Sequence, residues 1–211
     1  MRYALAIVVL SAMAAAPASA DPQIQTSGNE SFPGKNELSA HIGYASGLGG
    51  QFANPSGFKL SGEYAHGLSE VVWLDFQFNN TFGFGVASGT CFDRGGNPFP
   101  CGRDNFYYGG SSVELAAGVK LKLKTGIPLV IEVPLVVAVE ILYGRQCNDG
   151  GFGLVAKPGV GVKYFITRNI GLGGGINFAF GPNFHPASNC FGSYTDTYVA
   201  ADFQIGAEFI F

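Results

Sequence analysis

From Glu37 onward, apolar residues recur at every second position, segment after segment, until the chain stops at Phe211. Side chains on a strand alternate between faces, whereas a helical face repeats every three or four residues, so a period of two dictates β-structure. Eight such segments follow one another: 38–44, 58–64, 72–78, 113–123, 129–143, 154–164, 170–180 and 199–211. Each has one apolar face without a single charge. The opposite faces collect Glu63, Asp75, Glu114, Glu132, Glu140, Asp202 and Glu208 against Lys59, Lys120, Lys122, Lys124, Lys157 and Lys163, with His41 among them. Seven acids facing six bases would nearly neutralise a shared interior.

The stretch 127–143, IPLVIEVPLVVAVEILY, is the one place where a membrane helix competes with a strand. Pro134 would stand in the middle of that helix at a cost of ~3 kcal/mol. Val and Ile dominate the rest, which favours a strand.

The connections between segments alternate strictly. Those at 46–56, 80–110, 144–153 and 181–197 are long; those at 65–69, 125–128 and 167–169 are short. An up-and-down sheet then has every short turn at one end and every long loop at the other. Ahead of the first segment, 21–36 (DPQIQTSGNESFPGKN) is polar, lacks periodicity and reads as a flexible tail. Residues 1–20 have the form of a secretory leader: Arg2, an apolar run, then Ala18-Ser19-Ala20 at the cleavage position. Export to an oxidising compartment turns the even cysteine count into an expectation of two disulfides. Cys91, Cys101, Cys147 and Cys190 all fall in long loops. Three pairings are possible, and Cys91–Cys101 with Cys147–Cys190 is the most economical. No C-x-x-C spacing supports a metal, and neither metal nor cofactor is expected.

Composition narrows the class. Only 13% of residues are charged, against roughly 25% in average domains, while 47% are apolar and 32 are glycine. Disorder is excluded by the aromatic content. A net charge of −3 without a basic patch argues against nucleic acid as a partner. Alternation by itself fits both a soluble barrel, apolar inside, and a transmembrane one, apolar outside. Three features favour the second. Tyr44, Tyr64, Tyr143, Tyr164, Phe178 and Phe180 stand toward the ends of the apolar faces, as in an interfacial girdle. The opposite faces are rich in Gly, Ser and Asn, as a narrow interior requires. The chain also ends in an amphipathic strand on an aromatic residue.

That ending, FQIGAEFIF, puts Phe203, Ile205, Ala207, Phe209 and Phe211 on one face. It resembles the C-terminal assembly signal of bacterial outer-membrane proteins. With the leader, eight segments and alternating loops, 37–211 resembles the small eight-stranded barrels of the OmpA/OmpX/OmpW type. The resemblance implies an all-β, antiparallel, up-and-down transmembrane barrel in the outer membrane, with the N-terminus periplasmic and the long loops extracellular. It implies lipid, lipopolysaccharide and the barrel-assembly machinery as partners, and a monomer. The function it implies is non-enzymatic, structural or surface-interacting, with a lumen filled by side chains. The OmpW type supplies an alternative, a narrow channel for small or hydrophobic solutes. A lipid A-modifying enzyme is a third reading.

For catalysis the nearest candidate is His185-Pro186-Ala187-Ser188-Asn189, placed in a loop with one residue too many to align His and Ser. His66 falls in a turn and reads as solvated. Gly171, Gly173 and Gly175 face the lumen and would leave room for a bulky group such as Trp73, or for a bend. Around Cys91 and Cys101 stand Phe92, Phe99, Phe106, Tyr107 and Tyr108, which fit an outer binding surface, while Phe106 to Tyr108 fit the upper girdle of the fourth segment equally well.

Overall fold

A computed structural model describes residues 32–49, 57–83, 90–92, 98–100, 111–143, 150–187 and 193–211. Its strands are β1 (Asn36–Gly49), β2 (Gly57–Gly67), β3 (Val72–Gly83), β4 (Thr90–Phe92), β5 (Pro98–Pro100), β6 (Ser111–Lys124), β7 (Leu129–Tyr143), β8 (Gly150–Phe165), β9 (Ile170–His185) and β10 (Tyr194–Ile210). Eight of these, one for each alternating segment, close a barrel in the order β1-β10-β9-β8-β7-β6-β3-β2, with every pairing antiparallel. The first and last strands complete it, in register from Glu37↔Ile210 to Gly47↔Ala200. β4 and β5 pair with each other as a small hairpin within the connection from β3 to β6, an element that alternation had not announced.

The three short turns lie at one end, and their residue types explain their tightness. Ser69 Oγ accepts from Val72 N at 2.9 Å, and Thr167 Oγ1 from Ile170 N at 3.0 Å, so each hydroxyl stands in for a backbone acceptor. Gly126 adopts φ +82°, a conformation that side chains resist. The start of β1 and the end of β10 meet at the same end, where Asn36 and Phe211 exchange backbone hydrogen bonds of 2.9 Å.

Strands reach further toward the loop end than the apolar pattern does. β9 continues to His185 and β10 starts at Tyr194, so the connection expected over 181–197 shrinks to 186–193. Apolar alternation fades there, at Pro182, Asn183 and Thr195, while the ladder continues through Thr197↔Pro182 and Tyr194↔His185. Pro134 lies within β7 as a strand residue. The ladder to β8 skips from Glu132↔Gly161 to Leu135↔Pro158, a gap where Pro134 has no N–H to give.

The barrel is apolar outside and charged inside. Leu115, Val137, Ile205 and the Tyr44, Tyr143 and Tyr164 rings are about half exposed or more, whereas Lys120, Lys122 and Lys157 are almost completely buried. Water would reverse this arrangement. A hydrocarbon surround demands it, because closed barrels satisfy every backbone group internally.

Candidate functional site: the barrel interior

What the eight inward faces bring together is two ionic clusters. The one nearer the turn end is built on three lysines. Lys120 Nζ lies 2.6 Å from Glu37 Oε1 and contacts Glu63. Lys122 touches Glu37, reaches Glu208 Oε1 at 2.7 Å and Glu132 Oε1 at 3.0 Å. Lys163 stands 2.8 Å from Glu208 Oε2 and 3.4 Å from Glu132 Oε2. Carboxylate oxygens of Glu37, Glu132 and Glu208 approach within 4.8 Å of one another, a spacing that would suit a metal. Here ammonium groups bind all three, so the chain neutralises this trio itself.

The second cluster lies nearer the loop end. Lys59 contacts Asp202, and Lys157 sits 2.6 Å from Glu114 Oε1 and 3.3 Å from Asp202 Oδ2. Asn79 donates its amide to the same Glu114 oxygen. Two buried carboxyls have no lysine within ion-pair distance among the described residues. Asp75 accepts from Gln77 Nε2 at 2.9 Å, and Glu140 stands beside Ser112, its hydrogen-bond donor.

All the expected interior residues therefore face the lumen except Lys124. That side chain lies at the rim, where it bonds Glu70 Oε2 at 2.8 Å, because it is the last residue of β6. Glu37 was missed as an interior group, although its parity with Ser39 and His41 would have found it. The interior balance is accordingly more acidic than the sequence count: eight carboxyls and five lysines.

Below the first cluster an apolar stopper closes the turn end: Phe32, Ala65, Trp73, Val130, Phe165 and Ile210. Phe32 stands edge-on to Trp73 with ring centroids 5.3 Å apart. It is held by a Phe32-Pro33-Gly34-Lys35 turn, in which Lys35 N donates to Phe32 O at 3.0 Å and Gly34 takes φ +77°. Gly34 N and Lys35 O are both tied to Gly67. The last residues of the expected flexible tail, 32–36, are thus a packed part of the barrel. Lys122 Nζ lies 4.5 Å above the Trp73 ring, which couples stopper and ionic cluster. Phe32→Ala should lower the unfolding free energy of the micelle-bound barrel by about 3 kcal/mol, read from urea titration of Trp73 fluorescence.

Other expectations meet different outcomes. Trp73 packs on Phe32 and near Gly67, not over Gly171, Gly173 and Gly175. Those glycines answer to nearer neighbours: a Cβ at Gly171 would meet the Phe165 ring at 3.3 Å, and one at Gly173 would strike the Val162 carbonyl. His66 is engaged, with Nδ1 2.9 Å from Asn36 Oδ1, which also accepts from Tyr64 OH at 2.8 Å. His185 ends β9 as a buried strand residue rather than lying in a loop, its ring close over Gly151. Ser188 and Asn189 lie outside the described residues. So do Cys101, Cys147, Cys190, Phe106, Tyr107, Tyr108 and the side chain of Cys91, and with them the disulfide pairing. Phe203, Ile205, Ala207 and Phe209 share the outward face of β10, and Phe211, one residue beyond it, stacks its ring on that of Phe209 at 5.8 Å.

Between the two ionic clusters lies a cavity of about 50 Å³ at the waist of the barrel. Ser61, Asn79, Glu132 and Pro134 contribute to its wall, as do His41 and Gly161. It adjoins the place where Pro134 interrupts the ladder.

No protein-family model matches the chain, and a search of curated proteins finds none similar in sequence. Solved structures do match. The outer membrane protein OprG from Pseudomonas aeruginosa is 7% identical, with 85% of this chain and 97% of that one covered at a TM-score of 0.51. A major outer membrane protein from Thermus thermophilus is 13% identical, with 84% and 98% covered at a TM-score of 0.51. At such identities the likeness is one of fold. In fold the chain is a small eight-stranded transmembrane β-barrel of the kind found in outer membrane proteins, matched to no single member of that group.

Proposed function

We propose that this chain is a non-enzymatic barrel of a bacterial outer membrane, with a closed interior and a structural or surface-interaction role. The observation that carries the reading is the filled lumen. Two ionic clusters occupy its length, and Phe32, Trp73 and Phe165 stop the turn end. An eight-stranded barrel encloses just enough space for side chains to fill, and here they do. Both fold relatives are outer membrane proteins by name, which supports the same location.

In this reading the leader is removed after Ala20, the short turns face the periplasm and the long loops face outward. Cys91–Cys101 and Cys147–Cys190 staple those loops. The apolar exterior contacts acyl chains and lipopolysaccharide, and the Phe203-to-Phe211 face is what the assembly machinery engages.

Folded protein inserted in planar bilayers should be electrically silent. Conductance steps that change in size on substituting Lys120 or Glu132 would instead favour the narrow-channel reading, in which the waist cavity is one chamber of a solute path.

A further inference from the structure

Glu140 is the carboxyl that the second ionic cluster leaves out. Glu114 and Asp202 are matched by Lys59 and Lys157, whereas Glu140 has no lysine within ion-pair distance among the described residues. It is 2% exposed. The buried side chains around it include Ala138 and Leu142 on its own strand and Val155 on β8, all apolar. The ladder sets it directly opposite Glu114, and like charges so placed repel. A carboxylate here would be a buried charge without a counter-ion, beside a second carboxylate. Folded proteins avoid that arrangement by neutralising the group.

The hydrogen-bond pattern agrees. Ser112 donates to the Glu140 carboxyl, but Oε2 is buried without a partner. Asn183 Oδ1 is a second buried acceptor without a donor. Glu140 and Asn183 stand on either side of Gly153 in the ladders. A Cβ at Gly153 would strike Asn183 Oδ1, so the amide leans over the bare glycine, toward the side where Glu140 lies. Two acceptors without a donor thus flank one glycine, and buried polar groups normally find partners. One hydrogen carried by Glu140 supplies the bond that both lack, and it needs no free volume.

The remaining charged and titratable groups at this level do not supply a counter-ion. Lys157 on β8 and Lys59 on β2 are engaged with Glu114 and Asp202. β10 contributes Tyr198 and Asp202 and places Asp196 opposite Asn183 in the ladder. β9 adds the buried His185, two residues on from Asn183. β1 and β3 bring Ala45, Asn79 and Thr81, none of them charged. With Glu140 neutral, two carboxylates face two lysines and the cluster balances.

We propose that Glu140 is a neutral carboxylic acid in the folded barrel, its hydroxyl bonded to Asn183 Oδ1, and that this bond ties β7 to β9 across β8 at the loop end only while the proton stays. Such a latch rests on the closed-lumen reading only in that water is kept from Glu140; conductance tests the closure, and infrared absorption tests the proton. Full-length protein folded in lipid vesicles in heavy water near neutral pH would be compared with Glu140→Gln. The difference spectrum should hold the carbonyl stretch of a neutral carboxylic acid. Carboxylate bands in its place would overturn the proposal, the Asn183 amide then being turned to act as donor. Above about pH 4.3 a glutamate of the unfolded chain has ionised, so the folded barrel holds one proton more and loses stability as pH rises. In urea titrations Glu140→Gln should therefore gain on the wild type by up to about tenfold in folding equilibrium constant per pH unit. Parallel pH profiles would overturn the proposal as well. Asn183→Ala should keep the acid band but shift it, because the hydroxyl loses its acceptor; this comparison with the wild type also serves if Glu140→Gln does not fold. A band that is absent from the wild type, or unmoved in Asn183→Ala, would defeat the latch.

Discussion

Lys122→Met is expected to be the most damaging single substitution in the barrel, lowering its unfolding free energy by about 3–5 kcal/mol. The ammonium is fully buried and shared by Glu37, Glu132 and Glu208. Removing it leaves three carboxylates crowded within 4.8 Å with one cation fewer among them. A methionine recovers the packing volume and some of the contact with Trp73, but none of the charge. Lys124→Met, two residues on, removes a partly exposed pair to Glu70 and should cost less than about 1 kcal/mol. Urea titration of both variants in the same lipid vesicles separates the two cases. Adding Glu208→Gln to Lys122→Met should restore part of the loss, because one orphaned charge goes with it. Equal midpoints for the two lysine variants would show that the interior cluster contributes nothing to stability.

Val137→Arg is the complementary test, aimed at the outside of the wall. Val137 is 55% exposed near the middle of β7, flanked across the ladders by Ala117 and Ala156. On a water-facing surface an arginine there would change stability by less than about 0.5 kcal/mol. At the midplane of a bilayer it should cost about 2–4 kcal/mol, falling to about 0–1 near the interface. Ile166→Arg, in the turn between β8 and β9, supplies the interfacial comparison at similar exposure. A large penalty at 137 with a small one at 166, measured in vesicles, is the expected pattern. Two small penalties would be inconsistent with hydrocarbon around β7.

The barrel was legible because its physics is local. A period of two needs only neighbouring residues, and parity from any one strand residue assigns its whole inward face. Asp75, Glu114 and Lys157 were placed inside on that basis. Which acid meets which lysine was not legible, because partners such as Lys59 and Asp202 sit 143 residues apart and their encounter depends on barrel closure and register. Lys124 was misassigned since parity states the face but not the height, and at the last residue of β6 the lumen face is already the rim. Phe32 gave no periodic signal at all. A Pro-Gly turn separates it from β1, so its burial follows from the bottom of the barrel being open to it, not from its own neighbours. The waist cavity was equally invisible: Pro134 was read as a strand residue, but the opening beside it needs the missing ladder bonds to β8 and the small residues across from them.

The seam between β1 and β10 has a temporal consequence. The first described strand finds its partner in the last one, and Glu37, almost the first residue of the wall, shares Lys122 with Glu208, almost the last. Until the final seventeen-residue strand arrives, Lys59 and Lys163 lack Asp202 and Glu208 respectively, and two sheet edges stay open. An incomplete chain is thus penalised twice, in unmatched backbone and in unmatched charge. Closure of the seam, and not the forming of any one hairpin, is what makes the folded state worth adopting.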